Sequence, residues 1–126
     1  MASLAPSFSV KVDEMRRELH FVTSGLFDQA SMQAFNEEVA KAVGPILAKK
    51  QKMRALGDLS DYAVQTREIS DAMTVTLKSA EAVGIERVAI IMTSMLVKMQ
   101  YQRVSEGRNV KIFDDRAQAL AWLRAN

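Results

Sequence analysis

The segment Glu86-Arg87-Val88-Ala89-Ile90-Ile91-Met92-Thr93, written ERVAIIMT, decides the fold. From Val88 to Met92 every side chain is apolar. A strand with one wet face alternates apolar and polar residues, and this one does not. Both its faces therefore need cover, which is the mark of a central parallel strand flanked by helices on both sides.

The neighbouring segments supply those helices. Upstream lies TREISDAMTVTLKSAEAVG, Thr66 to Gly84. Ile69, Met73, Leu77 (or Thr76), Ala80 and Val83 form a stripe at helical spacing. Thr66 suits the N-cap, and Gly84 falls where a C′ glycine ends a helix. Downstream, Ser94 caps a third helix, MLVKMQYQRVSEG, which is expected to end at Gly107. MRALGDLSD, Met53 to Asp61, is the preceding strand, and NVKIF, Asn109 to Phe113, is the following one.

The amino-terminal third has a different pattern. In SFSVKVD, Phe8, Val10 and Val12 alternate with Ser9, Lys11 and Asp13, so one face is buried and one is wet. In RRELHFVTSG, Leu19, Phe21 and Thr23 share a face opposite His20 and Val22. The short DEMRR between them predicts an antiparallel hairpin. A first helix starts at Asp28, with Met32, Phe35, Val39, Val43 and Ile46 as its buried stripe. Gly44-Pro45 is expected to kink or break it, and KKQK to place cations at its negative end.

The chain closes with VKIFDDRAQALAWLRAN, a strand, an acidic turn and a short helix. Asp115 and Gln118 have capping-box spacing. Ala117, Leu120, Ala121 and Trp122 or Leu123 are expected to form the buried stripe. The element order is therefore β-β-α-β-α-β-α-β-α. Right-handed crossovers make this a mixed, mostly parallel sheet of four or five strands with helices packed on it, in one α/β domain spanning residues 1–126.

With this element order, the approach to GDLSD (Gly57 to Asp61) and the tail VKIFDDRAQALAWL resemble the SpoIIAA-like family. These are single-domain bacterial relatives of STAS domains, the anti-sigma-factor antagonists, also described as STAS/Sec14-like. The resemblance implies a STAS-like sheet and a role in binding rather than catalysis. In the antagonists a DLS-type strand end is followed by a loop and a phosphorylatable serine at the start of the next helix. Asp58-Leu59-Ser60 matches that strand end, but the serine's place falls at or near Arg67. Thr66 and Ser70 are the nearest hydroxyls, and neither lies in the family's Asp-Ser-Ser-Gly setting. A phosphate near Thr66 would meet the free N–H groups of a helix start, although an N-cap role explains Thr66 by itself.

Composition narrows the chemistry. The 126 residues fit one domain and contain no cysteine, so disulfides, thiolates and Cys-based zinc sites are excluded. A balance of 17 basic against 15 acidic side chains argues against nucleic acid. No apolar run reaches membrane-span length, and the start lacks the features of a signal peptide, so a cytoplasmic location is expected. His20, the only histidine, has no nucleophile or matching acid grouped with it in sequence and is expected to be a packed or half-exposed strand residue. Glu37-Glu38 is expected to be solvated, and Asp114-Asp115 to serve a helix start. Lys49, Lys50, Lys52 and Arg54 are expected to be a solvated loop. No metal, cofactor or catalytic residue is expected.

One segment stands apart. In IIMTSMLVKMQYQ, Met92, Met95, Leu96, Met99 and Tyr101 crowd the carboxyl end of the central strand and the next helix. Ligands and partners of open α/β sheets favour that end, and methionine suits adaptable apolar surfaces. Two functions are expected from it. The first is a non-enzymatic regulatory interaction module, acting as a homodimer or with a protein partner. The second is a binder of a lipid or small apolar ligand, in a cavity lined by the second and third helices.

Overall fold

The computed structural model describes residues 4–126; the expectation of no leader peptide rests partly on residues 1–3, which lie outside them. The elements follow as β1 (Ser7–Asp13), β2 (Glu18–Ser24), α1 (Gln29–Leu47), β3 (Met53–Asp58), α2 (Arg67–Val83), β4 (Ile85–Ile91), α3 (Met95–Val104), β5 (Val110–Phe113) and α4 (Arg116–Arg124). The order matches the sequence reading element for element. The five strands lie side by side in chain order. β1 and β2 pair antiparallel, with Ser7 opposite Ser24 and Asp13 opposite Glu18. Every later pair is parallel, and β4 lies between β3 and β5.

β4 is covered on both sides, as ERVAIIMT requires. Val88, Ile90 and Met92 face a large core built with Met32 and Phe35 of α1, Ile69 and Met73 of α2, and Val97 and Tyr101 of α3. Ala89 and Ile91 face a smaller cluster with Leu56, Ala119 and Leu123. Three helices thus cover one face of the sheet and α4 covers the other. An aromatic group seals the hairpin side of the large core. Phe35 meets Phe8 and Phe21 at 5.5 Å between ring centres, and Phe27 at 6.3 Å.

The helix starts are the caps read from sequence. The side chains of Asp28, Thr66, Ser94 and Asp115 accept from the N–H groups of Ser31, Ile69, Val97 and Gln118. Gly84 ends α2 at φ +121°, a conformation that only glycine adopts without strain.

Several boundaries and phases differ from expectation. α1 runs unbroken through Gly44-Pro45 to Leu47. Pro45 sits in the final turn, so its missing N–H leaves only the Lys41 carbonyl, on an exposed stretch, to water. The lysines of KKQK follow the helix instead of filling its last turn. α3 ends at Val104, before Gly107, because Ser105 already leaves helical geometry as the C-cap. Val83 is 58% exposed, since Ile69, Met73 and Leu77 already supply the buried side of α2. On α4 the buried pair is Ala119 and Leu123, one turn apart, which turns Ala117 and Ala121 to solvent. Trp122 lies half-buried at the rim, between the Phe113 ring at 5.8 Å and the Arg87 guanidinium at 5.1 Å.

Candidate functional site

The carboxyl edge of the sheet is built by the loops after β2, β3 and β4. A buried glutamine ties them together. The Gln65 side chain accepts from the Phe27 N–H at 2.8 Å and donates to the carbonyls of Gly25 at 3.0 Å and Ala63 at 2.7 Å. Gln100 on α3 completes the tie in both directions. Its side-chain oxygen accepts from the Gln65 N–H at 2.7 Å, and its amide donates to the Gln65 carbonyl at 2.8 Å. The edge is thus braced by one amide network, in which every polar group is paired.

α3 rises from this edge with two distinct sides. Val97, Tyr101 and Val104 point into the core. Met95, Leu96 and Met99 point outward and are 69%, 66% and 56% exposed. At about 100° per residue, these three occupy a single arc of about 100°. Met92, by contrast, is fully buried at the end of β4, and Tyr101 is buried beneath α3. The methionine-rich segment therefore divides: Met92 and Tyr101 belong to the core, and Met95, Leu96 and Met99 form a surface. Burial pushes the hydroxyl pKa of Tyr101 up, with a further contribution from nearby Tyr62. Lys98 reaches from α3 to Asp114 at 2.5 Å, which fixes the helix to the β5–α4 turn.

Of the two hydroxyls singled out at the start of α2, that of Thr66 has a structural partner. Thr66 Oγ1 accepts from the Ile69 N–H at 3.3 Å. Ser70 lies one turn in, and its carbonyl accepts from Thr74 Oγ1 at 3.2 Å. Arg67 takes the first helical position.

An apolar groove lies between α1 and α2. One stretch, of about 550 Å³, is lined by Val39, Val43, Leu47, Val75, Ala80 and Val83. A second stretch of about 410 Å³ continues past Asn36 and Ala40 towards Met32 and Ile69. Val83, expected in the core, is a wall of this groove.

The opposite, amino edge of the sheet holds an ionic cluster that sequence reading missed. Glu18 is 2% exposed and receives two bonds from Arg124, at 2.9 and 3.0 Å. His20 Nε2 lies 3.0 Å from the same carboxylate. Burial raises the Glu18 pKa, but its bonds to Arg124 and His20 outweigh that and hold it below the usual glutamate value. Arg54 turns inward instead of lying in a solvated loop. It meets Glu86 at 3.2 Å and donates to the carbonyls of Leu123 and Ala125 at the end of α4. Arg87 donates to the carbonyls of Trp122 and Ala125. Cations at a helix carboxyl end satisfy free carbonyls and oppose the negative pole of the macrodipole. Their partners lie far apart along the chain, so no local motif announces them. The alternation of β2 places Glu18 and His20 on the face opposite Leu19, which is as much of the cluster as the sequence shows.

Among the described residues, no three His, Cys, Asp or Glu side chains group as a metal site, and no helix is long and apolar enough to cross a membrane. No curated protein matches the chain. A solved structure, of an uncharacterized DUF3478-family protein with a SpoIIAA-like fold from Shewanella loihica PV-4, is similar over 98% of both chains, with 22% identity and a TM-score of 0.71. At that identity the likeness speaks to the fold. A model of the SpoIIAA-like family matches residues 19–124, from the buried start of β2 to the last turn of α4, and the chain belongs to that family.

Proposed function

We propose that this chain acts by binding, as a regulatory protein-interaction module of residues 1–126 that docks through the outer arc of α3. The observation that carries this reading is the exposure of Met95, Leu96 and Met99 together, at the carboxyl edge of a parallel sheet. Each is an apolar side chain left in water while the same helix already has a complete buried side. A patch of that kind marks an interaction surface, and flexible methionines suit one. Leu26 and Val64, 36% and 46% exposed, come from the two loops that Gln65 braces beside α3. The partner is a second copy of the chain or another protein with a complementary apolar face. Thr66 and Ser70 are the positions at which a phosphate would meet the positive end of α2.

Sedimentation of the wild-type chain over a range of concentrations tests the homodimeric form, and capture of a partner from the native host tests the other. Met99→Asp should abolish self-association or capture while the thermal unfolding curve is unchanged, because Met99 contributes little to the core. Unchanged mass and unchanged capture in Met99→Asp would remove α3 as the docking surface.

The groove between α1 and α2 favours a second reading, a small apolar ligand or lipid. Its volume and apolar walls suit an alkyl chain. Native mass spectrometry of protein purified from cells tests it: a co-purified lipid that disappears in Val75→Trp, at an exposed wall of the groove, supports the reading, and a bare chain mass removes it.

A further inference from the structure

We infer that the amino edge of the sheet holds a site for a phosphate-bearing ligand, with Arg17 and Lys52 as its principal cations. A hollow of about 290 Å³ opens there, between the β1–β2 turn, the start of β3 and the end of α4. Five cationic side chains and two carboxylates line it. Both carboxylates are already engaged, Glu18 by Arg124 and His20, and Glu86 by Arg54. Arg16 has Asp13, outside the hollow, at 3.8 Å. Arg17 and Lys52 meet no carboxylate among the described residues.

Two unpaired cations facing one polar hollow repel each other, and a dianion between them removes that repulsion. The hollow is held in shape by backbone. The Arg54 N–H donates to the Arg17 carbonyl at 3.1 Å, which ties the hairpin turn to the start of β3. Glu18 and Arg54 are register partners, as are Arg54 and Arg87, so the charged side chains issue from adjacent strands of one rigid sheet. Arg17 itself has φ +52°, a left-handed position at which glycine would sit without strain. The turn thus presents an arginine at the one place where its backbone prefers another residue. The surface differs from the carboxyl edge in every respect: it is polar, cationic and far from α3. A phosphate group fits it, either on a soluble molecule or as a lipid headgroup.

The test uses the full chain and inorganic pyrophosphate, followed by isothermal titration at about 0.1 M salt. Binding should weaken about tenfold or more in Arg17→Gly/Lys52→Ala, the loss expected when two charge-assisted contacts disappear. Arg17→Gly also relieves the left-handed turn, so the double variant should melt no lower than wild type. The control Lys78→Ala/Arg116→Ala removes the same charge elsewhere and should leave affinity within about twofold, as exposed charges well beyond a Debye length of about 10 Å are screened. Flotation with vesicles of phosphatidylcholine, alone or with phosphatidic acid, separates the two sources. Binding only to free pyrophosphate supports a soluble ligand, and added binding to the phosphatidic acid vesicles, lost in the double variant, supports a headgroup. No binding of either probe, or equal weakening in the control pair, overturns the site.

Discussion

Gly57 opens the GDLSD segment and lies in β3, at the centre of the sheet, where any side chain would meet its neighbours. A β-carbon built there lies 2.3 Å from Phe21 Cζ, 2.5 Å from Cε2 and 2.9 Å from Ile90 Cδ1. Carbon atoms pack at about 3.5–4.0 Å, so Gly57→Ala forces the Phe21 ring to retreat by more than about 1 Å. The retreat is opposed by the edge-on contact of Phe21 with Phe35, which Phe8 and Phe27 hold in turn. Overpacking costs about 1–3 kcal/mol, and two neighbours here place the cost near the top of that range. Replacing glycine in a strand interior returns about 0.5–1 kcal/mol of backbone entropy. The net expected loss is about 2 kcal/mol, or about 8 °C at roughly 4 °C per kcal/mol for a chain of this length. Urea and thermal unfolding of four proteins, wild type, Gly57→Ala, Phe21→Leu and the double variant, measure it. Leucine lacks the two clashing ring atoms, so Phe21→Leu should cost at least about 1 kcal/mol less in the alanine background than in wild type. A stable Gly57→Ala, or additive effects in the double variant, would refute the packing argument.

Leu123 is fully buried in the small cluster that holds α4 on the sheet, so Leu123→Ala should cost about 3 kcal/mol in urea unfolding, and deletion of the last eight residues should unfold or aggregate the chain. A truncated chain with a cooperative wild-type melt would show instead that α4 is dispensable. Glu18 has a folded pKa below the ordinary value of 4.5, so the stability it contributes is present above that value and is lost as pH falls through the folded pKa. Urea midpoints taken from pH 6 to pH 3 should therefore fall less steeply for Glu18→Gln than for wild type, and parallel curves would mean that the Arg124 pair leaves stability unlinked to pH.

Much of the fold was legible because it rests on local signals. The unbroken apolar run of β4, the alternation of β1, the four helix caps and Gly84 each act within a few residues, and each appears in the structure. The errors came where two local rules competed or where helical phase was ambiguous. Pro45 stood for a break, but a proline in a last turn removes a hydrogen bond that was nearly finished anyway. Ala117 and Ala121 looked apolar, yet the sheet selects the one face that carries Leu123. The divided character of α3 was readable in principle, since Val97, Tyr101 and Val104 already make a complete helical stripe and leave Met95, Leu96 and Met99 on the far side. The ionic and amide networks were not readable. Glu18 and Arg124 are 106 residues apart, and Gln65 and Gln100 are 35 apart. Periodicity specifies which face a side chain occupies and says nothing about which partner waits there.

The two edges of the sheet divide the work of holding the helices. At the amino edge, Arg54 and Arg87 bind the carboxyl end of α4, and Arg124 returns the contact through Glu18. These charged bonds fix a nine-residue helix whose buried side is only Ala119 and Leu123. At the carboxyl edge neutral amides join the Lys98–Asp114 ion pair as braces. Gln100 joins α3 to Gln65, and Gln65 immediately precedes Thr66, the cap of α2. A load placed on Met95, Leu96 and Met99 therefore bears on the same residue pair that positions the start of α2. That connection is short and covalent on one side, with two hydrogen bonds on the other. It couples α3 directly to the start of α2, where Thr66 is the cap and Arg67 the first helical residue.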